Sequence, residues 1–382
     1  MEAMWLLCKL TPVFKTISDF RKDNIDHMKK VFNAFNKCCM EQNHFGKKTI
    51  GIDCTKVKAC NARDKKYTRD NVDKRITEMD RKSDQYLKDL DENDKNEEDE
   101  PKIINMKEKI ETMRKRMEEL KEIRKKMDEK GLNEISLTDP EARLMKTRTG
   151  TDVCFNAQIS VDDKHHLIVD YDIINDPTDC SSMIPVAKKS KEIFEVDHLE
   201  ALADKGYFST NNIKTLKVEG IDAYISEPKH VIPDKKVIPT PEFYESKFKY
   251  NKEKDVYICP QMNEMNVFGK KKSNGNKTYI VYKTSSCLSC QVRMKCTESK
   301  SGRKIYRWEY QELLDEHRKK MLLHGSETMK KRKALVEHPF GTIKRALNSG
   351  YTLLKDSRKV SGEFGLIALS YNMKRVINLN SP

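Results

Sequence analysis

Three acidic residues occupy positions from which their carboxylates can meet. Asp53 lies within the alternating run 48–59, Asp204 directly follows the short apolar run 199–203, and Glu337 lies in a segment of helical spacing. The ends of adjacent strands lie side by side in a sheet, so residues at these ends can be close in space. A helix packed over the sheet can bring a glutamate to the same point. Such oxygens bind Mg²⁺ or Mn²⁺, and two ions about 4 Å apart stabilise both oxygens of a phosphodiester displacement. The trio therefore predicts metal-dependent phosphodiester cleavage.

The residues beside two of these acids support this interpretation. Gly206 follows Asp204 and permits a tight turn into a helix. On a helix, Lys344 lies two turns after Glu337 and shares its face, so Lys344 and its neighbour Arg345 are predicted to contact DNA phosphates. The alternative is ordinary surface charge, since the chain has 60 acidic residues.

The elements that must position these acids follow an α/β pattern. Extended runs and helix-like runs alternate, which predicts a mixed sheet flanked by helices. The predicted strands are 48–59, 153–161, 166–174, 199–203 and 221–225, and the predicted helices are 185–194 and 211–218.

Helical spacing also dominates three segments outside this core. Residues 1–47 form a predicted helical N-terminal segment, and 68–134 a helical-hairpin insertion whose acidic turn is 91–100. Helical spacing of apolar residues resumes from about Glu327 to Leu347, and a last predicted helix covers 363–379. The predicted domains are thus 1–47, a first catalytic part 48–228, an insertion 229–325 and a catalytic C-terminal part 326–382.

The predicted insertion 229–325 holds four cysteines in a metal-like arrangement. Cys287 and Cys290 form a Cys-x-x-Cys pair, with Cys259 before it and Cys296 after it. Four thiolates can bind one structural Zn²⁺ in a tetrahedral site. The spacing lacks a second tight pair, so four reduced thiols remain the alternative.

Two residues near these motifs have competing interpretations. His338 follows Glu337, but a helix-packing role is favoured over a general base, because two-metal chemistry already activates water. Trp308 has the ring needed to stack on an unpaired base. Packing of the insertion against the catalytic core is the favoured role.

Composition points to a polyanionic partner. The 382 residues carry 74 Lys and Arg against 60 Asp and Glu, a net charge of +14. No apolar run has the roughly 18 residues needed to span a membrane, and no secretory pattern opens the chain. These features predict a cytoplasmic protein whose first candidate partner is nucleic acid, and the alternative is a generic basic protein that does not bind DNA.

Several stretches together resemble a known family. GIDCTKVKA, DPEARLMKTRTGTDVCFNAQISVDDKHHLIV, ADKGYFS, VEHPFGTIKR and YNMKRVINL occur in this order across nearly the whole chain. They are similar to bacterial and archaeal insertion-sequence transposases with a DDE domain. The resemblance implies a ribonuclease H-like catalytic fold, two Mg²⁺ or Mn²⁺ ions on Asp53, Asp204 and Glu337, and Lys344 at the DNA backbone near the cut.

The resemblance also implies what the protein acts on. The expected partners are terminal inverted repeats and target DNA, held by a homodimer. Relatives of this kind carry a longer helical DNA-binding domain upstream, so we expect an N-terminally truncated copy. Two alternatives remain. One is a catalytically inactive DNA-binding remnant, which only metal-dependent cleavage distinguishes, and the other is a ribonuclease H-like nuclease without strand transfer, which a joined DNA product would exclude.

Overall fold

The computed structural model describes residues 11–60, 66–93, 100–129, 131–148, 150–228, 239–272 and 278–380, without the side chains of 89–93 and 100–107. The elements before the second sheet are, in chain order, α1 (Phe14–Asp23), α2 (Met28–Glu41), β1 (Thr49–Lys58), β2 (Lys66–Thr68), α3 (Arg69–Asn93), α4 (Glu100–Glu129), β3 (Glu134–Ser136), β4 (Arg143–Thr147), β5 (Gly150–Asp162), β6 (Ile168–Ile174), α5 (Met183–Phe194), β7 (Leu199–Ala203), α6 (Thr210–Val218) and β8 (Ile221–Ile225). The remaining elements are β9 (Lys249–Asn251), β10 (Val256–Ile258), β11 (Glu264–Lys272), β12 (Thr278–Lys283), α7 (Arg293–Cys296), β13 (Ile305–Trp308), α8 (Gln311–Gly341) and α9 (Ser357–Asn380).

The central sheet has β1 in its middle. β5 pairs antiparallel with β1 along one side, and β6 and β4 pair antiparallel with the far side of β5. On the other side of β1, β7 and then β8 run parallel to it. The predicted α/β class with a mixed sheet is confirmed, and each predicted strand of this sheet is present.

Alternation along the central strands separates two layers. Phe155 and Ile159 of β5 face a core shared with α8 and α9, where Val336 and Phe364 pack. Ile50 and Ile52 of β1 lie in a second core with α5 and α6. Since Asp53 alternates with Ile52, its side chain lies on the α8 face of β1.

The predicted helical hairpin is present as α3 and α4. Their seam contains Val72, Leu120 and Met127, and the short β2–β3 ladder pairs Lys66 with Ser136 at its base. Residues 94–99 of the predicted acidic turn lie outside the described residues. So do residues 1–10 of the predicted N-terminal segment, in which α1 and α2 form helices as expected.

A second sheet, which the sequence pattern did not predict, occupies the insertion. β9 to β13 form a five-stranded antiparallel sheet around a small core of Phe248, Met265, Tyr282 and Ile305. Two of its strands have three residues each, too few to show alternation, and β11 ends in consecutive lysines. Short strands and consecutive lysines give no alternating pattern, so the prolines and lysines of the insertion indicated loops instead.

Helix α8 begins earlier than predicted. It starts at Gln311, whereas helical spacing indicated about Glu327, so residues 311–325 of the predicted insertion are part of this helix. Leu322 and Leu323 are exposed on it and interrupt the apolar spacing. The predicted last helix, 363–379, likewise begins earlier, at Ser357. No helix in the described part of the chain is long and apolar enough to cross a membrane.

Candidate active site and comparison with known proteins

Asp53 sits in the middle of the central sheet, facing helix α8. Its side chain is 22% exposed, and its Oδ2 forms an ion pair with Arg332 Nη2 at 2.8 Å. The backbone N–H of Cys54 donates to Asp53 Oδ1 at 2.9 Å. Gly51 brings α8 this close, since a Cβ there would lie 3.1 Å from Val336 Cγ1.

The electrostatics around Asp53 are unusual for an aspartate. The pKa of its carboxyl is raised to about 6, mainly by burial and to a lesser extent by the charges of Asp204 and Asp179, whereas Arg332 and the Cys54 N–H lower it. Removal from water and like charges both disfavour the ionised form. An added cation would reverse that preference, so the site favours a positively charged ligand.

Asp204 follows β7 and caps the short 3-10 helix Lys205–Tyr207. Its Oδ1 accepts a hydrogen bond from the Gly206 N–H at 2.8 Å. β1 and β7 pair in parallel with Gly51 opposite Leu202, so Asp53 in the middle of β1 lies level with Asp204 just past the end of β7. The structure therefore brings Asp53 and Asp204 together, within electrostatic range of each other.

Asp179 joins this pair and was not predicted. Its Oδ2 lies 3.5 Å from the position of a Cβ on Gly206, and Asp204 Oδ1 lies 3.0 Å from the same position. Its Oδ1 accepts from Lys56 Nζ at 3.0 Å and from Asn156 Nδ2 at 2.7 Å. Burial would raise the pKa of Asp179, but hydrogen bonds from Cys54, Asn156 and Lys56 lower it.

The sequence held one signal for Asp179. Asn156 and Gln158 alternate with the apolar residues of β5 and are fully buried, so each needs a buried polar partner. Asp179 supplies it, accepting from Gln158 Nε2 at 3.3 Å as well. The loop that carries Asp179 has no periodicity, which is why the pattern did not reveal it.

Glu337 is not brought into this group. It lies on α8, its side chain is 65% exposed, and its Oε1 is 3.7 Å from Lys333 Nζ, one turn earlier. Arg332, which does reach Asp53, is about 140° around the helix from Glu337. Within the described ranges, no three His, Cys, Asp or Glu side chains are placed to hold one metal ion.

The predicted DNA-contacting cations lie in the π-helical turn Thr342–Ala346 that follows α8. Partial burial and the nearby Arg148 lower the pKa of Lys344, while Cys54 and Asp53 act to raise it. Lys344 is thus within electrostatic range of Asp53. Arg345 is exposed beside it.

The four cysteines predicted to bind zinc line one cavity in the insertion. All four are reduced and half-buried. Trp308 packs with Ile213 and Leu314, as the favoured interpretation predicted. His338 Nδ1 is 2.8 Å from the Tyr371 hydroxyl, which joins α8 to α9 and fits the packing role.

Comparison with known proteins gives one family match. Residues 258–377 match the profile described as Transposase DDE domain. The resemblance to DDE transposases is therefore confirmed over this segment, about a third of the chain. The matched segment contains Glu337, Lys344 and Arg345, whereas Asp53 and Asp204 lie before it.

Among solved structures, a piggyBac transposase synaptic complex with hairpin DNA matches with a TM-score of 0.29 and 11% identity. The match covers 63% of this chain and 44% of that chain, so this chain spans less than half of its length. No curated protein sequence matches this chain.

Proposed function

We propose that this protein is the DDE transposase of an insertion sequence, which cuts DNA and transfers the freed 3′ end to target DNA. The observation that carries the proposal is the neighbouring pair of carboxylates of Asp53 and Asp204. Burial, with a smaller contribution from the charge of Asp204, raises the pKa of Asp53 to about 6. Perturbed carboxylates of this kind are typical of functional sites. The family match over residues 258–377 supports the same activity.

The strand arrangement supports a ribonuclease H-like catalytic core. Three antiparallel strands, β6, β5 and β1, are followed across the sheet by the parallel strands β7 and β8. Asp53 lies on the middle strand and Asp204 at the end of its parallel neighbour. The predicted catalytic part 48–228 contains every strand of this sheet, and 326–382 contains the second half of α8 and all of α9.

The residues present fit Mg²⁺ or Mn²⁺. Mg²⁺ is commonly held by one or two carboxylates together with substrate phosphates, and Asp53 and Asp204 supply two adjacent carboxylates. Bound ions, two in our proposal, would activate a water molecule and stabilise the leaving 3′ oxygen. Asp179 holds Lys56 and Asn156 in place and adds negative charge beside the pair.

Glu337 is proposed to complete the trio after α8 turns about its own axis. Its side chain is exposed and paired with Lys333 on the same helix, about 140° around α8 from Arg332, so a new side-chain rotamer alone would not bring it to Asp53. Arg332 neutralises Asp53 in the structure described, and it would release the carboxylate when a cation takes over that role.

DNA is proposed to approach along the π-helical turn. Lys344 and Arg345 would contact the backbone close to the acidic pair, and the net charge of +14 favours the encounter. The proposed partners are terminal inverted repeats and target DNA, held by a homodimer. We propose a cytoplasmic, nucleoid-associated location.

The test is cleavage and joining of end-labelled DNA that carries the inverted repeats of the element. Wild-type protein with Mg²⁺ or Mn²⁺ should cut the ends and join them to a second DNA, whereas Asp53→Asn should do neither. Cutting without joining would favour the nuclease alternative. Binding without cutting at any metal concentration would favour the inactive remnant, which the Arg332–Asp53 pair also fits.

A further inference from the structure

We infer that Cys259, Cys287, Cys290 and Cys296 hold one structural Zn²⁺ that fixes the insertion sheet. The four thiols come from two segments, Cys259 from the turn after β10 and the other three from residues 287–296, and they line the same cavity of about 30 Å³. This volume suits an ion, whereas an organic ligand needs several hundred Å³. The inference does not depend on the proposed transposase activity, because a structural zinc site is closed to substrate.

The backbone around the cavity places the cysteines at turns. Cys259 opens a tight turn after β10, closed by hydrogen bonds from Met262 N to Cys259 O at 2.8 Å and from Cys259 N to Asn263 O at 3.0 Å. Cys287 ends a 3-10 helix, Cys290 caps the turn before α7, and Cys296 ends α7. Tight turns are the usual supports of Cys-x-x-Cys ligands.

Gly302 shows how closely the chain is drawn around this cluster. Its φ is +83°, and a Cβ on it would lie 2.7 Å from the Cys287 Cβ. Only glycine fits this position, for conformational and steric reasons. The Cys287 side chain is therefore enclosed rather than free to turn outward.

Arg303 supplies a second, independent sign of a bound ion. It lines the same cavity, and its buried Nε has no hydrogen-bond partner among the described residues. Binding converts four thiols and Zn²⁺ into a four-thiolate complex with two negative charges and releases four protons. A guanidinium beside that complex would gain the partner it lacks.

The insertion sheet also needs the stabilisation. Its core has four fully buried apolar side chains, and Cys259 and Cys296 pack against this core. Sheets with so little buried surface usually depend on metals or disulfides. The described thiols are not within coordinating reach of one point. In our inference they converge when the ion replaces their protons.

Metal analysis of the whole chain tests this. Protein purified without chelators should contain about one zinc per chain, and Cys287→Ser/Cys290→Ser should lose it. Cys60→Ser, which changes a half-buried cysteine outside the cluster, should keep it. Zinc retained by the double variant, or iron in its place, would overturn the inference.

Cobalt substitution avoids dependence on a variant that folds poorly. Wild-type protein reconstituted with Co²⁺ should show the thiolate-to-cobalt charge transfer and the intense visible bands of a tetrahedral sulfur site. Asp53→Asn should show the same spectrum, because the acidic pair is not involved. Absence of these bands, with all four thiols as reactive toward iodoacetamide as Cys60, would leave reduced cysteines as the answer.

Discussion

The guanidinium of Arg332 lies 2.8 Å from the carboxylate of Asp53, which we propose as a metal ligand. Both side chains are largely buried, with 14% and 22% of their surface exposed. The arginine therefore supplies the positive charge that a bound metal ion would supply in the proposed function. Arg332 and a metal ion cannot both contact the Asp53 carboxylate closely, so metal binding would compete with this ion pair.

Asp53→Asn should change how stability depends on pH. The pKa of Asp53 is about 6 in the folded protein, above the value of about 4 expected when unfolded. The folded state thus binds more protons in this interval, and wild-type stability should fall relative to the variant as pH rises from about 4 to 6. The full difference is about 3 kcal/mol. Urea unfolding of both metal-free proteins at each pH measures it, and parallel curves would contradict the shifted pKa.

Arg332→Met should raise the pKa of Asp53 above its value of about 6, because the arginine lowers that pKa. Arg332→Lys should keep most of the effect. The carboxyl carbon signal of Asp53, followed by NMR in metal-free protein, reports the titration. Arg318, like Arg332, lies on α8 and forms an ion pair, in its case with Glu227. Arg318→Met is therefore the control, and it should leave the pKa of Asp53 unchanged.

Metal-dependent cleavage should fall by more than about 100-fold in each of the variants Asp53→Asn, Asp204→Asn and Glu337→Gln. This loss exceeds the one expected for a residue that only hydrogen-bonds to a metal ligand. Asp222→Asn and Glu327→Gln should cut normally. Asp222 is likewise an aspartate on a strand of this sheet, paired with Lys320 of α8, and Glu327 is likewise an exposed glutamate of α8. The role of Glu337 would be falsified if its variant cut at the wild-type rate.

Asp179→Asn should destabilise the protein by about 1–3 kcal/mol, because it leaves the largely buried Lys56 without its counter-charge. Asp152→Asn is a matched control. Asp152 pairs with Lys58, which lies on β1 like Lys56, but this ion pair is exposed. Its effect should stay below about 1 kcal/mol. Equal losses in urea unfolding would show that the Lys56–Asp179 pair has no special weight.

Lys344→Ala should make the slope of log affinity against log salt shallower by about one unit, as expected for one lost phosphate contact. Lys189→Ala removes a lysine from α5, on the opposite face of the sheet, and should leave the slope as it is. Fluorescence anisotropy over a range of salt concentrations gives both slopes. A slope that Lys344→Ala leaves unchanged would place Lys344 away from the DNA backbone.

The sequence predicted the elements that have a clear period. The strand 199–203 and the hairpin of β5 and β6 were predicted to within a few residues, since alternation fixes which face is buried. The meeting of Asp53 with Asp204 followed from strand ends. Asp179 and Arg332 could not be predicted, because a loop has no period and nothing in the sequence tells which charge on α8 turns inward. The side-chain direction of Glu337 depends on the same packing of α8 over Gly51.

The helical hairpin between β1 and β4 bears on how the chain folds. Lys58 of β1 must find Cys154 of β5, a closure of roughly 100 residues. The α3–α4 pair forms from local contacts, and the β2–β3 ladder holds its two ends side by side. If it forms first, the effective loop shrinks to roughly 25 residues, which lowers the entropic cost of closure by about 1 kcal/mol. The hairpin would then speed assembly of the sheet by shortening the loop that must close, and shortening the hairpin at the described ends of α3 and α4 should leave the folding rate nearly unchanged as long as the seam around Leu120 survives.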